Sequence, residues 1–249
     1  MLEILKGLWA ARRAVAGDWP VRQNIRRQNH PGWGLQENLK ARAIFFCVSL
    51  ALILAGPAKA RIETDTAALI LGGLLVSDQE TADFVRRNND SESVSSFMRN
   101  ASKLMSPGKL LTGSLAASQL ATSERDRRTF KLAATAAIET GLITSALKEI
   151  TDRRRPFEKA ALAADPSFPS EFDSFPSGHA SAAFAVMTVL AHEQPENRKT
   201  YMALGCLVAV SRVYLEKHYP SDVFAGALVG YFVAEHVVKN GKGLLGWRF

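Results

Sequence analysis

An all-α helical bundle is the fold class this sequence predicts, and three observations predict it. Beyond residue 60 the apolar residues recur with helical spacing, in runs near 66–76, 109–121, 130–150, 179–192, 200–215 and 221–238. No segment of useful length alternates apolar and polar residues as a strand would, and no internal repeat is present. The composition, 47% hydrophobic with 17 glycines and 10 prolines, is that of a globular chain.

Within these runs the uninterrupted apolar stretches are about 10 to 12 residues long, short of the roughly 18 that a bilayer span needs. Glu139 and Glu235 interrupt the longer ones, and the mean hydropathy is only −0.03. A soluble bundle is therefore favoured over a membrane-embedded one, and 249 residues suffice for one substantial core. The stretches at 77–108, polar and charged, and 157–175, rich in Pro, Asp, Ser and Phe, read as connections. The second is long for a turn and is expected to shape or cover a site; alternatively Phe157, Phe168, Phe172 and Phe175 pack within the loop itself.

Ahead of the bundle, Lys40 and Arg42 flank an apolar stretch from Ala43 to Ala55, a Gly56-Pro57 break and a small-x-small sequence, Ala58-Lys59-Ala60. Residues 40–60 thus read as a secretory signal cleaved before Arg61, with an uncleaved membrane anchor or a short core helix as the alternatives. Residues 1–39 are expected to be a basic extension, disordered or, with a start downstream of Met1, not translated. The formal charge of +7 is concentrated there: residues 1–42 hold 8 Lys or Arg against 3 Asp or Glu, and residues 61–249 hold 22 against 21. A near-neutral folded part has no footprint for nucleic acid, which excludes that partner class, and an exported or periplasm-facing location follows from the leader. Of two cysteines, Cys47 lies in the apolar stretch, so cleavage leaves Cys206 without an internal disulfide partner.

Three short stretches carry the chemistry. Lys148 and Arg155 stand seven residues apart, close to two helical turns, so both are expected on one face of a helix that Pro156 stops. Two cations aimed the same way suit a phosphate, although a solvated basic helix end is the commoner outcome for such a pair, with Arg153 and Arg154 beside it. Pro176-Ser177-Gly178-His179 opens an alanine-rich run, making Ser177 a helix N-cap and Gly178 a point of close backbone approach to an anion. Third comes Ser211-Arg212, followed by His218 at the end of one helix and Asp222 one turn into the next, which Pro220 would start. A carboxylate within reach of one imidazole nitrogen fixes the tautomer and leaves the other free to attack phosphorus. A zinc site built from His179 and His218 is disfavoured because the surrounding side chains are cations.

Taken together, Lys-x6-Arg-Pro, Pro-Ser-Gly-His and Ser-Arg-x5-His-x3-Asp resemble the signature of the type 2 phosphatidic acid phosphatase superfamily (PAP2), which also includes bacterial acid phosphatases and vanadium haloperoxidases. The resemblance runs over roughly residues 66–238, within a domain drawn as 61–249. It implies a six-helix bundle and a metal-free, cofactor-free phosphatase acting through a phosphohistidine. In that scheme His218 is the nucleophile, Asp222 its orienting partner and His179 the acid. Lys148, Arg155 and Arg212 hold the phosphate oxygens, completed by Ser177 and the Gly178 amide. The substrate would be a lipid phosphate such as phosphatidic acid or a small phosphoester, with membrane association in the first case. The alternatives are a prenyl pyrophosphate phosphatase, a vanadium-dependent haloperoxidase and a non-catalytic scaffold. An unperturbed imidazole at position 179, with a pKa of about 6.5, would place the rate optimum on the acidic or near-neutral side.

Overall fold

A computed structural model describes residues 64–89, 91–164 and 173–246. The segments 1–39 and 40–60, with their extension and leader readings, lie outside the described residues, as do Phe168 and Phe172. The described residues form eight α-helices and no strand: α1 Thr64–Asn88, α2 Glu92–Leu104, α3 Pro107–Leu120, α4 Glu124–Thr151, α5 Pro156–Ala164, α6 Gly178–Glu193, α7 Arg198–Tyr214 and α8 Pro220–Asn240. This is the all-α bundle expected, cut more finely. The polar stretch at 77–108 is not a connection: it supplies the second half of α1 and all of α2, whose buried positions are Ser95 and Ser102.

Local chemistry sets the helix ends. Ser123 caps α4 by accepting the Asp126 amide at 3.0 Å, and Glu124 and Asp126 place negative charge on the positive end of the dipole. At the other end Asp152 adopts φ 49, a left-handed turn that ends α4 before Arg155 is reached. Pro156 is consequently the first residue of α5 rather than the stop of α4, a role its missing N–H and fixed φ suit equally well. Pro220 opens α8 as expected, and Gly241, at φ 63, closes it.

Helix α6 lies at the centre, packed by α8, α7 and α4. It is apolar all round, with Ala180, Ala183, Phe184, Ala185 and Val189 fully buried, as a central helix must be. Its small residues let α8 come close enough that a Cβ on Gly230 would lie 2.1 Å from the Ser181 carbonyl oxygen, and one on Gly226 2.4 Å from that of Ser177. Phe184, Phe224, Val223 and Val237 fill the remaining space, each burial contributing about 1.5–3 kcal/mol. Helix α8 is the one described helix long and apolar enough to cross a membrane, and 67% of its apolar stretch is buried within the bundle.

Candidate active site

The start of α6, the turn between α4 and α5, the turn before α8 and the segment 173–177 meet at one end of the bundle. Ser177 is the residue before α6, as expected, and its amide donates to the Asp222 carbonyl at 2.9 Å, which ties the α6 start to the first turn of α8. The Ser177 hydroxyl caps nothing: it is buried without a hydrogen-bond partner. The same holds for Nε of Arg212, whose Nη1 donates to Ser102 of α2 at 2.7 Å. Buried donors without partners normally have a ligand or water to meet, and Ser177 and Arg212 each offer one. Ser211, beside Arg212, faces the core and bonds the Val208 carbonyl at 2.6 Å.

Lys148 and Arg155 do come together, though not by helical spacing. After the Asp152 turn the chain runs alongside segment 173–177, pairing Arg153 with Asp173, and this brings Arg155 back toward Lys148. Asp173 holds both cations: Arg155 Nε and Nη2 donate to its two carboxylate oxygens at 2.6 and 2.5 Å, and Lys148 Nζ stands 3.7 Å from Oδ2 while bonding the Asp173 carbonyl. A cavity of about 250 Å³ opens beside this group, lined by Ser145, Lys148, Glu149, Asp152 and Asp173. Burial pushes the Asp173 carboxyl up, but Arg155 and Lys148 outweigh it and hold it below the usual carboxylate range. The chain's own Asp173 carboxylate thus occupies the cationic pair.

His218 is buried in the turn that follows α7, where its own amide and that of Lys217 both donate to the Arg212 carbonyl, at 3.2 and 3.0 Å. Glu216, at φ 53, makes that turn possible, and its carboxylate is held by Arg86 of α1 at 2.7 Å. The hydrogen bond expected between His218 and Asp222 is not formed. Nδ1 donates to the backbone carbonyl of Ser174 at 2.8 Å, and Asp222 Oδ2 is 3.7 Å away, an electrostatic neighbour. The reason is that Asp222 is already engaged. Its Oδ1 takes Arg153 Nη1 at 2.5 Å, and its Oδ2 takes the Ser174 hydroxyl at 2.6 Å and the Tyr219 amide at 2.8 Å. The tautomer is fixed as foreseen, with the proton on Nδ1 and a free lone pair on Nε2, but a main-chain oxygen fixes it.

The cations around the site leave their mark on every titrating group. Burial, then Arg212, His218, Arg155 and Lys148, push His179 down to about 3, so it is neutral near pH 7 rather than ordinary as the sequence suggested. Burial also lowers His218, against the opposing pull of Asp222, and burial with Arg155 beside it lowers Arg212 to about 10. His179 feels the charges of Arg212, His218, Arg155 and Lys148 together. Gly178 starts α6, and a Cβ there would meet only Thr144 Cγ2 at 3.8 Å, so packing within the chain does not demand glycine.

Sequence reasoning passed over four contributors. Ser174 and Asp173 lie in a stretch read as a connection, Arg153 was counted with a basic helix end, and Asp78 of α1 sits far outside the motifs. Asp78 accepts Arg153 Nη2 at 2.6 Å and the Ser221 amide at 3.0 Å, together with the Ser221 hydroxyl. Only the charge run 153–155 hinted at any of this.

Residues 129–242 match the sequence model of the PAP2 superfamily. The chain is 33% identical over 100 residues to the lipid A 1-phosphatase of Rhizobium etli, spanning 39% of this chain and 43% of that protein. It is 32% identical over 123 residues to the decaprenylphosphoryl-5-phosphoribose phosphatase of Mycobacterium tuberculosis, spanning 48% and 65%. The match thus covers less than half the length of the lipid A enzyme. Among solved structures, LpxE of Aquifex aeolicus superposes with a TM-score of 0.54 at 25% identity, over 65% of this chain and 94% of that one. The phosphatidylglycerolphosphate phosphatase of Bacillus subtilis shares the fold, with a TM-score of 0.50 at 17% identity over 83% of this chain and 97% of that one. All eight residues singled out between 148 and 222 fall inside the matched region, residues 129–242, which is similar to the PAP2 superfamily.

Proposed function

We propose that this chain is a metal-independent phosphatase that hydrolyses a phosphate monoester carried on a lipid, through a phosphohistidine at His218. One observation carries the reading: a buried imidazole, pushed down by burial, whose Nδ1 proton is tied to Ser174 and whose Nε2 is free lies within electrostatic reach of Arg212 and Arg155. Nε2 attacks phosphorus as the ester bond to the leaving oxygen breaks, and His179 gives that oxygen its proton. Water then attacks the phosphohistidine while His179 takes the water's proton, releasing phosphate. Phosphoryl transfer of this kind depends on positioning and on charge opposed to the three non-bridging oxygens, the part assigned to the three cations, Ser177 and the Gly178 amide. A bound phosphate dianion offsets the charges that depress His179, so the acid arrives protonated with its substrate.

A lipid-borne phosphate is favoured over a small phosphoester on two grounds. The relatives bear the names of lipid and polyprenyl phosphatases. Large apolar side chains also stand exposed on α1, α2 and α3, with Leu69 at 78%, Val76 at 86%, Leu104 at 71% and Leu120 at 81%, the kind of surface a membrane contact uses. Export, with the site presented at the outer face of the inner membrane, follows the basic stretch and apolar run before residue 60, and Arg61 as the first residue of the mature chain would bear it out. The deciding experiment compares the purified full chain and His218→Ala on p-nitrophenyl phosphate, phosphatidic acid and a prenyl pyrophosphate, with and without detergent micelles. The expected result is loss of all turnover in His218→Ala, an acid-labile phosphoenzyme in the wild type, and highest kcat/KM on phosphatidic acid in micelles. Substantial activity without His218 would remove the covalent mechanism, and preference for the soluble ester would remove the lipid.

A further inference from the structure

Asp222 spends one oxygen on a residue outside the proposed reaction. Arg153 Nη1 lies 2.5 Å from Asp222 Oδ1 and 2.7 Å from the Ser221 hydroxyl, while its Nη2 lies 2.6 Å from Asp78. Its guanidinium also stacks 4.3 Å from the Tyr219 ring centre. Asp78 in turn takes the Ser221 amide at 3.0 Å and the Ser221 hydroxyl; burial pushes its carboxyl up, and Arg153 and these donors oppose that push. The result is a linear array, Asp78, Arg153, Asp222 and then His218, in which anion and cation alternate. Asp78 comes from α1, ahead of residue 129 where the family match begins.

We infer that Arg153 and Asp78 are positioning residues that set how much of the Asp222 charge reaches His218, and thereby the basicity of the nucleophile. This rests on the reading of His218 as nucleophile. A carboxylate facing only an imidazole raises its proton affinity; one shared with a guanidinium raises it less, because the guanidinium repels the imidazolium and draws charge to the far oxygen. Asp78 tempers the guanidinium in the same way. Arg153 therefore keeps His218 unprotonated at working pH, and Asp78 limits that effect. Five other charges and one imidazole reach Asp222 or His218: Lys148 from α4, Arg155 from the turn after it, Lys159 from α5, Asp173 from the segment before α6, Arg212 from α7, and the His179 ring from α6. All six stay in place when position 78 or 153 is changed, so they cancel in the comparison.

The test is the pH profile of kcat/KM on p-nitrophenyl phosphate for the full chain, whose acid limb reports protonation of the free enzyme's nucleophile. Arg153→Gln is expected to move that limb up by about one pH unit, and Asp78→Asn to move it down, with kcat reduced roughly tenfold or more in the first. Opposite directions are the distinguishing feature, since mere damage to the fold would lower activity in both and move neither limb by sign. Arg153→Lys, which keeps the charge but not the fork of donors, is expected to lower kcat with KM and the limb unchanged. If Arg153→Gln does not fold, Asp78→Asn and Arg153→Lys carry the test alone. Limbs that stay at the wild-type position in Asp78→Asn, or shift the same way in both charge variants, overturn the inference. His218→Ala in the same assay separates the two levels. An inactive His218→Ala with unmoved limbs refutes the positioning role only, whereas an active one refutes the nucleophile itself.

Discussion

Gly226→Ala is the substitution that most directly joins packing to chemistry. Gly226 sits in α8, where a Cβ would lie 2.4 Å from the Ser177 carbonyl oxygen and 3.2 Å from Ser177 N and C. Side-chain carbons do not approach oxygen closer than about 3.0 Å, so the α6 start and α8 must part by roughly 0.6 Å at least. What has to move is backbone, with no flexible side chain to yield. Overpacking of this kind costs about 1–3 kcal/mol, and for a domain of this size it lowers Tm by roughly 2–12 °C. The functional loss is larger. The contact is made by the residue whose amide bonds Asp222 and whose successors are Gly178 and His179, so the sides carrying the proposed acid and the proposed nucleophile separate. A misplacement of that order costs roughly 10- to 100-fold in kcat. Gly141→Ala is the control: no atom lies within 4 Å of its Cβ position, it is exposed in mid-α4, and helix propensity predicts up to about 1 kcal/mol of stabilisation with unaltered kcat. Steady-state kinetics on p-nitrophenyl phosphate with thermal melts read both. A Gly226→Ala enzyme with wild-type kcat/KM would show that the close approach does not hold the site.

Three further outcomes are expected. Asp173→Asn removes the carboxylate that holds Lys148 and Arg155, so inorganic phosphate should inhibit roughly tenfold more tightly and KM should fall; weaker inhibition would mean that Asp173 serves to position Arg155. His179, at about 3 in the folded chain against about 6.5 unfolded, binds fewer protons when folded between those values. Its contribution to stability is therefore complete above pH 6.5 and lost progressively toward pH 3. Binding of sulfate, which does not titrate in this range, should take up close to one proton at pH 5.5 and none at pH 8 by calorimetry in two buffers; no uptake at pH 5.5 would show that the anion does not meet His179. Finally, Glu139 is buried and accepts the amides of Leu244 and Leu245 at 2.8 and 2.9 Å, so Glu139→Ala should leave two donors orphaned and cost about 1–3 kcal/mol in a urea melt, with kcat unchanged.

Much of the site was legible because its parts are local. Pro176-Ser177-Gly178 announces a helix start, and Pro220 announces another, from the backbone preferences of those residues alone. The reading failed where a local rule met a distant contact. Helical spacing put Lys148 and Arg155 on one face, but α4 ends at Asp152 and it is Asp173 that gathers the two cations. An Asp four residues after a His suggested a direct hydrogen bond, and the carboxylate proved to be committed to Arg153 and Ser174.

What the sequence by itself determined is six of the eight described helices and the attachment of the candidate site residues to helix ends, since each of these depends on neighbours a few residues away. Which acceptor holds the His218 tautomer, which carboxylate holds Lys148 and Arg155 and which helix braces Asp222 were decided only in three dimensions. Asp78 and Ser221 are 143 positions apart, and Arg153 and Asp222 are 69. Such pairings depend on how closely α6 and α8 pack at Gly226 and Gly230, a property of the assembled bundle that no local pattern of residues encodes.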